Sequence, residues 1–161
     1  MMRPEIWFEL MRRYFPIFIA GNFLSMIAIG VSLATVIVVH MAGVTPSSPV
    51  LKYYFAAALT LSVILVAAGA LTWKGFDKGV HLQRFLCFGC IAVAVSTVFV
   101  DASHWIFISL GIALPVLALL VLSSKRYREL VSVMRFIRLN RGFPPEMEDR
   151  ILGERGPSPS I

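Results

Sequence analysis

The stretch FPIFIAGNFLSMIAIGVSLATVIVV, residues 15–39, decides the fold of this 161-residue chain because it contains no Asp, Glu, Lys or Arg. A charge-free apolar run of this length exceeds what a small water-soluble core needs, and it matches the ~20 residues with which a helix crosses a bilayer. Its roughly 25 residues rise 1.5 Å each and so exceed the ~30 Å hydrocarbon core. We therefore expect a tilted membrane helix.

Three further apolar runs follow, and with the first they predict four membrane-spanning helices. The composition agrees, since 58% of the residues are hydrophobic and 15% are charged, whereas soluble domains average ~45–50% and ~25%. The third run is the shortest, and the sequence leaves open whether it crosses the membrane fully. The predicted spans are about 15–39, 53–73, 85–100 and 105–123.

The connections between the spans predict an all-α bundle with up-down-up-down topology and both termini in the cytoplasm. Positive residues are retained on the cytoplasmic side of a membrane, and here they cluster before the first span, between the second and third, and after the fourth. The outer connections hold only Lys52. The predicted organisation is a cytoplasmic or interfacial segment 1–14, a bundle 15–124, a basic helix 125–142 and a flexible tail 143–161.

Small residues recur along the first span with a spacing that averages 3.5, as in a left-handed helix-packing seam. In lipid, such residues let helix backbones approach closely. We expect this seam to pack inside the bundle against a second small stripe on the third span, although it could instead serve another protein. The two stripes are Gly21, Ser25, Ala28, Ser32 and Thr35 on the first span, and Gly89, Ala92 and Ser96 on the third.

Polar side chains inside the first span are few, and Asn22 is the strongest of them. A hydrogen bond between helices is the ordinary use of such an amide in a membrane. A role in a binding site is the alternative.

Two groups of residues are candidate metal or redox sites. Cys87 and Cys90 form a Cys-x-x-Cys pair at the start of the third span, where a helix N-terminus lowers thiol pKa values. Alternatively, they are small apolar residues in a packed helix. On the outer side, His40, Asp101 and His104 could approach one another as metal ligands or a proton relay. Alternatively, Asp101 caps the fourth helix and the two histidines lie at the membrane interface.

The region after the fourth span predicts a basic amphipathic helix at the membrane surface. One apolar face of this helix is formed by Tyr127, Leu130, Met134 and Ile137. We expect the helix either to lie with this face on anionic lipid or to extend into solvent. The cations assigned to the lipid headgroups are Arg126, Arg128, Arg135, Arg138 and Arg141.

The residue types that the predicted spans lack argue against some functions. None of the four predicted spans contains Asp, Glu, Lys, Arg or His, and such residues are the usual signature of proton-coupled carriers. We find no catalytic constellation and no cofactor motif, and the net charge of +6 is explained by topology rather than by nucleic acid.

The sequence therefore favours a non-enzymatic inner-membrane protein that contacts other membrane helices, as an accessory or assembly subunit or as a homo-oligomer. In size and helix number the chain also resembles bacteriocin immunity proteins, which implies a toxin-immunity or exclusion role as an alternative. A thiol-redox or metal-handling protein built on Cys87 and Cys90 is the alternative from a different class.

Overall fold

In a computed structural model, which describes residues 4–40, 49–99 and 105–140, the protein is all-α. Four helices form a bundle and a fifth, basic helix follows them, which confirms the predicted fold class. The helices of the described ranges are α1 (Pro4–His40), α2 (Pro49–Trp73), α3 (Asp77–Val98), α4 (Trp105–Ser123) and α5 (Lys125–Asn140).

Helices α1 to α4 are each long and apolar enough to cross a membrane, as expected for a multi-pass membrane protein. The proline in α4, Pro115, is buried, and the helix continues through it from Trp105 to Ser123. The third helix, the one with the shortest apolar run, has 22 residues. At 1.5 Å per residue this is roughly 33 Å, close to the thickness of the hydrocarbon core, but its first eight residues include Asp77, Lys78, His81 and Arg84.

Two helix boundaries differ from the sequence prediction by more than two turns. Of the predicted segment 1–14, residues 4–14 are not separate from the first span, because α1 is continuous for 37 residues from Pro4 to His40. Helix α3 begins at Asp77 rather than at residue 85. Charged residues mark the end of an apolar run in the sequence, but they do not end a helix. Asp77 suits the dipole of the first helical turn, and long basic side chains reach the interface from inside a helix.

Helices α1 and α3 form the inner pair of the bundle, since they contact each other and each contacts both α2 and α4. The inner side of α3 follows a heptad-like spacing. Its buried residues include Gln83, Cys87, Cys90, Ala94 and Thr97. Between α1, α2 and α3, Ile29, Leu65 and Cys90 form one of the apolar clusters.

The turn between α2 and α3 is tight, and it depends on one glycine. Gly75 has a φ of 72°, a conformation that residues with a Cβ rarely adopt. The Gly75 amide donates to the Thr72 carbonyl at 2.9 Å, and the Phe76 amide donates to the Leu71 carbonyl at 2.9 Å. This is the hydrogen-bond pattern of a Schellman motif, which ends α2.

Helix α5 packs its apolar side against the end of the bundle. Leu130, Met134 and Ile137 are buried together with Leu10 and Tyr14 of α1. Trp73 lies at the edge of this cluster and contacts the Phe18 ring, with 4.9 Å between the ring centroids. The prediction that the apolar face of α5 lies on lipid is therefore wrong, because the long N-terminal end of α1 supplies a protein surface for it.

Candidate functional site

The small-residue seam of α1 lies inside the bundle, where it meets three other helices. A Cβ atom on Gly21 would lie 3.0 Å from the ring of Tyr127. Ser25 Oγ lies 3.8 Å from the Cys87 sulfur, and Ala28 is completely buried. Thr35 Oγ1 donates to the Phe107 carbonyl of α4 at 3.3 Å. The α1 seam is thus used within this chain.

The expected partner stripe on α3 does not meet that seam. Gly89, Ala92 and Ser96 are exposed, and a Cβ atom on Gly89 would contact nothing within 4 Å. The side of α3 that faces the bundle carries Cys87, Ala94 and Thr97 instead. Both sides of this helix carry small residues, so residue size alone did not distinguish them.

Both thiols of the Cys-x-x-Cys pair are buried free cysteines. Cys87 packs with Leu122 and Tyr127, whereas Cys90 packs with Ile29 and Leu65. The pair therefore faces two different apolar clusters. In the described residues no group of three His, Cys, Asp or Glu side chains is arranged to hold a metal ion.

The proposed outer cluster falls mainly outside the described residues. Asp101 and His104 belong to the undescribed segment 100–104, and His40 is described only as the last residue of α1. The metal-ligand role of these three residues stays a prediction.

A polar chain connects α1, α3 and α5 where the bundle meets α5. Gln83 Nε2 donates to Asn22 Oδ1 at 2.8 Å, and the Tyr127 hydroxyl donates to Gln83 Oε1 at 3.0 Å. The amide nitrogen of Asn22 donates to the Phe18 carbonyl at 2.9 Å. Asn22 therefore takes part in a hydrogen bond between two helices, as its position inside the first span predicts. A glycine on α2, Gly69, lets the Asn22 side chain approach that helix.

Sequence reasoning missed Gln83 and the hydroxyl of Tyr127 as members of this chain. Both residues are completely buried. Burial raises the pKa of Tyr127, while the nearby Thr72 hydroxyl and the Arg84 charge act in the opposite direction. The phenol therefore stays a neutral hydrogen-bond donor at physiological pH. The sequence offered one signal that Gln83 is buried. It lies four residues before Cys87, and residues four apart share one side of a helix.

A second polar feature is a groove between α3, the end of α4 and α5, which we call the cationic groove. Its volume is about 240 Å³. Arg84 donates from Nη2 to the Leu122 carbonyl at 3.1 Å. Arg135 pairs with Asp77 at 2.9 Å, and both side chains are about half exposed. The charged and titratable residues that line the groove are Asp77, His81, Arg84, Tyr127, Arg128 and Arg135.

An apolar cleft opens between α1, α2 and α3 on the side of the bundle away from α5. Its volume is about 470 Å³, and Ser32, Leu61 and Gly89 are among its lining residues. Ser32 is 5% exposed, and its hydroxyl has no hydrogen-bond partner among the described residues. This member of the predicted seam therefore borders a cleft rather than a packed helix.

The outward side of α2 carries a small-residue stripe that sequence reasoning did not single out. Every member is exposed, and Val63 is 67% exposed. The steps between members alternate between four and three residues, so they lie on one face of the helix. We call this set the α2 stripe; it consists of Ala56, Thr60, Val63, Ala67 and Ala70.

Most of the arginines assigned to the membrane surface are exposed on α5. Arg135 is engaged with Asp77, and the Arg138 guanidinium lies 3.8 Å from the centre of the Phe76 ring. Arg126 and Arg128 are also exposed. Arg141 lies outside the described residues.

Comparison of the chain with protein-family models, with curated proteins and with solved structures finds no match.

Proposed function

We propose that this chain is a non-enzymatic, multi-pass protein of the inner membrane that acts by packing against a helix of another membrane protein, as an accessory or assembly subunit. The observation that carries the proposal is the α2 stripe, which leaves small residues on the outer face of a helix. The α1 seam is used within the bundle and is not available for this contact.

The contrast between α2 and α4 supports a protein neighbour at the α2 stripe. The outer side of α4 exposes large apolar side chains such as Leu110, Leu117 and Leu120, which suit lipid. The outer side of α2 exposes the α2 stripe between larger residues such as Leu59 and Val66. In a membrane there is no hydrophobic driving force between helices, so small residues that permit close backbone contact favour association.

A photo-crosslinking residue placed in the living cell tests this contact. At Ala67, in the α2 stripe, we expect a discrete crosslinked protein species, because a packed helix holds one partner next to that position. At Leu120 of α4, which is 62% exposed, we expect only lipid adducts. The measurement is the mass of the products on a denaturing gel.

The products at the two positions also identify the kind of partner. An Ala67 adduct of twice the mass of this chain indicates a homo-oligomer, and any other discrete mass indicates a second protein. If Ala67 yields no protein adduct, or the same adducts as Leu120, then the α2 stripe faces lipid and the proposal fails.

The proposed orientation has both termini in the cytoplasm, because the basic residues cluster at the N-terminal end of α1, around the turn between α2 and α3, and after α4. Reporter fusions after Gly142 and within the connection 44–50 test it. We expect a cytoplasmic signal from the first fusion and an extracytoplasmic signal from the second. The reverse pattern would require the opposite orientation.

The proposed surroundings include anionic lipid headgroups as well as a membrane partner, with no nucleic acid. Two exposed cations of α5, Arg128 and Arg138, support contact with the headgroups, since each cation near an anionic surface contributes about 1 kcal/mol. This contact is electrostatic and weakens with salt.

A further inference from the structure

We infer that the cationic groove binds a phosphate group, and that the apolar floor of the groove suits the phosphate of an anionic membrane phospholipid. This inference is independent of the proposed partner helix, because the groove lies between α3, α4 and α5, whereas the partner contact concerns α2. It holds for either orientation of the bundle in the membrane.

The charge of the groove favours an anion. Three arginines line it, and Asp77 is the only carboxylate among its lining residues. The ion pair of Asp77 with Arg135 is about half exposed, so it is weak and leaves Arg135 able to contact a second acceptor. The arginines can therefore hold an anion without first losing a buried partner.

Arg84 has hydrogen-bonding capacity that the described protein does not use. One donation, from Nη2 to the Leu122 carbonyl at 3.1 Å, stabilises the end of α4. The Nε atom is buried and has no hydrogen-bond partner among the described residues. A guanidinium carries five N–H donors, and phosphate oxygens accept from it in pairs. Because Arg84 lines the groove, a phosphate bound there would accept from guanidinium donors that the Leu122 carbonyl leaves free.

The position and floor of the groove favour a lipid as the source of the phosphate. Leu122 lies one residue before the end of α4, where the apolar run stops and headgroups begin. Val80, Leu122 and Val131 line the groove together with the charged residues. A phospholipid presents this same combination of a charged phosphate above an apolar body.

The test uses the full-length chain, purified and stripped of lipid in an uncharged detergent, with binding measured by calorimetric titration. The probes are dioctanoyl phosphatidylglycerol, inorganic phosphate, and dioctanoylglycerol as the phosphate-free control. The variants are Arg84→Gln and Arg128→Gln. Arg126→Gln is the matched control, since Arg126 is exposed on α5 but does not line the groove. Because Arg128 is exposed, its variant keeps the test valid even if Arg84→Gln fails to fold.

We expect phosphatidylglycerol to bind and dioctanoylglycerol to bind far more weakly. Each groove variant should weaken phosphatidylglycerol binding about tenfold, the effect of losing one charge-assisted hydrogen bond. Arg126→Gln should change it by less than about twofold. If inorganic phosphate competes with the lipid and its affinity also falls in the Arg84 and Arg128 variants, the groove is a phosphate site and its ligand is free phosphate. Failure to compete supports the lipid source.

Three results would overturn the inference. They are no binding of either phosphate probe, equal binding of dioctanoylglycerol, and an equal loss of affinity in Arg126→Gln and Arg128→Gln.

Discussion

Replacing Gly75 by alanine is expected to detach α5 from the bundle and to lower the free energy of unfolding by at least about 2 kcal/mol. Two effects combine at this position. The φ of 72° is unfavourable for alanine, and the new Cβ would overlap the backbone of Met134 and Arg135 in α5. Backbone cannot move aside as a flexible side chain can, so either the turn or the docking of α5 must change.

Thermal unfolding in mild detergent, followed by tryptophan fluorescence, measures this effect because Trp7 and Trp73 border the cluster that α5 covers. Limited trypsin digestion should also cut α5 faster in the variant. The matched control is Gly89→Ala, whose Cβ would meet nothing within 4 Å and whose helix propensity improves. Equal stability of the two variants would show that the turn does not hold α5.

Replacing Ala28 by leucine is expected to destabilise the bundle by about 1 to 3 kcal/mol. Ala28 is completely buried in the α1 seam, so three added carbon atoms must displace neighbouring helices. The measurement is the thermal unfolding midpoint in detergent, with the wild-type chain under the same conditions.

Ala92→Leu is the control for this substitution, since it adds the same atoms to the exposed side of α3. We expect little change in its unfolding midpoint, because lipid or detergent accepts the larger side chain. An equal loss of stability in both variants would mean that Ala92 is also packed against a helix. That result would support the predicted contact between the small-residue stripes of α1 and α3.

The contrast between Ala28 and Ala92 illustrates the limit of sequence reasoning for the candidate sites. Both belong to small stripes with helical spacing, and size and spacing do not show which side of a helix faces a neighbour. The polar chain has the same limit. Asn22 was recognisable as a polar residue inside a span, whereas Gln83 and Tyr127 became its partners only through the packing of α3 and α5.

The sequence by itself determined the all-α class, the number of long apolar helices and the basic helix that follows them. These depend on local properties, because a charge-free run needs only its own residues to form a membrane helix. Tertiary structure alone decided that α5 docks on α1, that Arg84 reaches the end of α4 and that the α2 stripe faces outward. Each of these depends on how helices rotate about their axes and approach one another, and an apolar run that is compatible with lipid on every side does not specify that rotation.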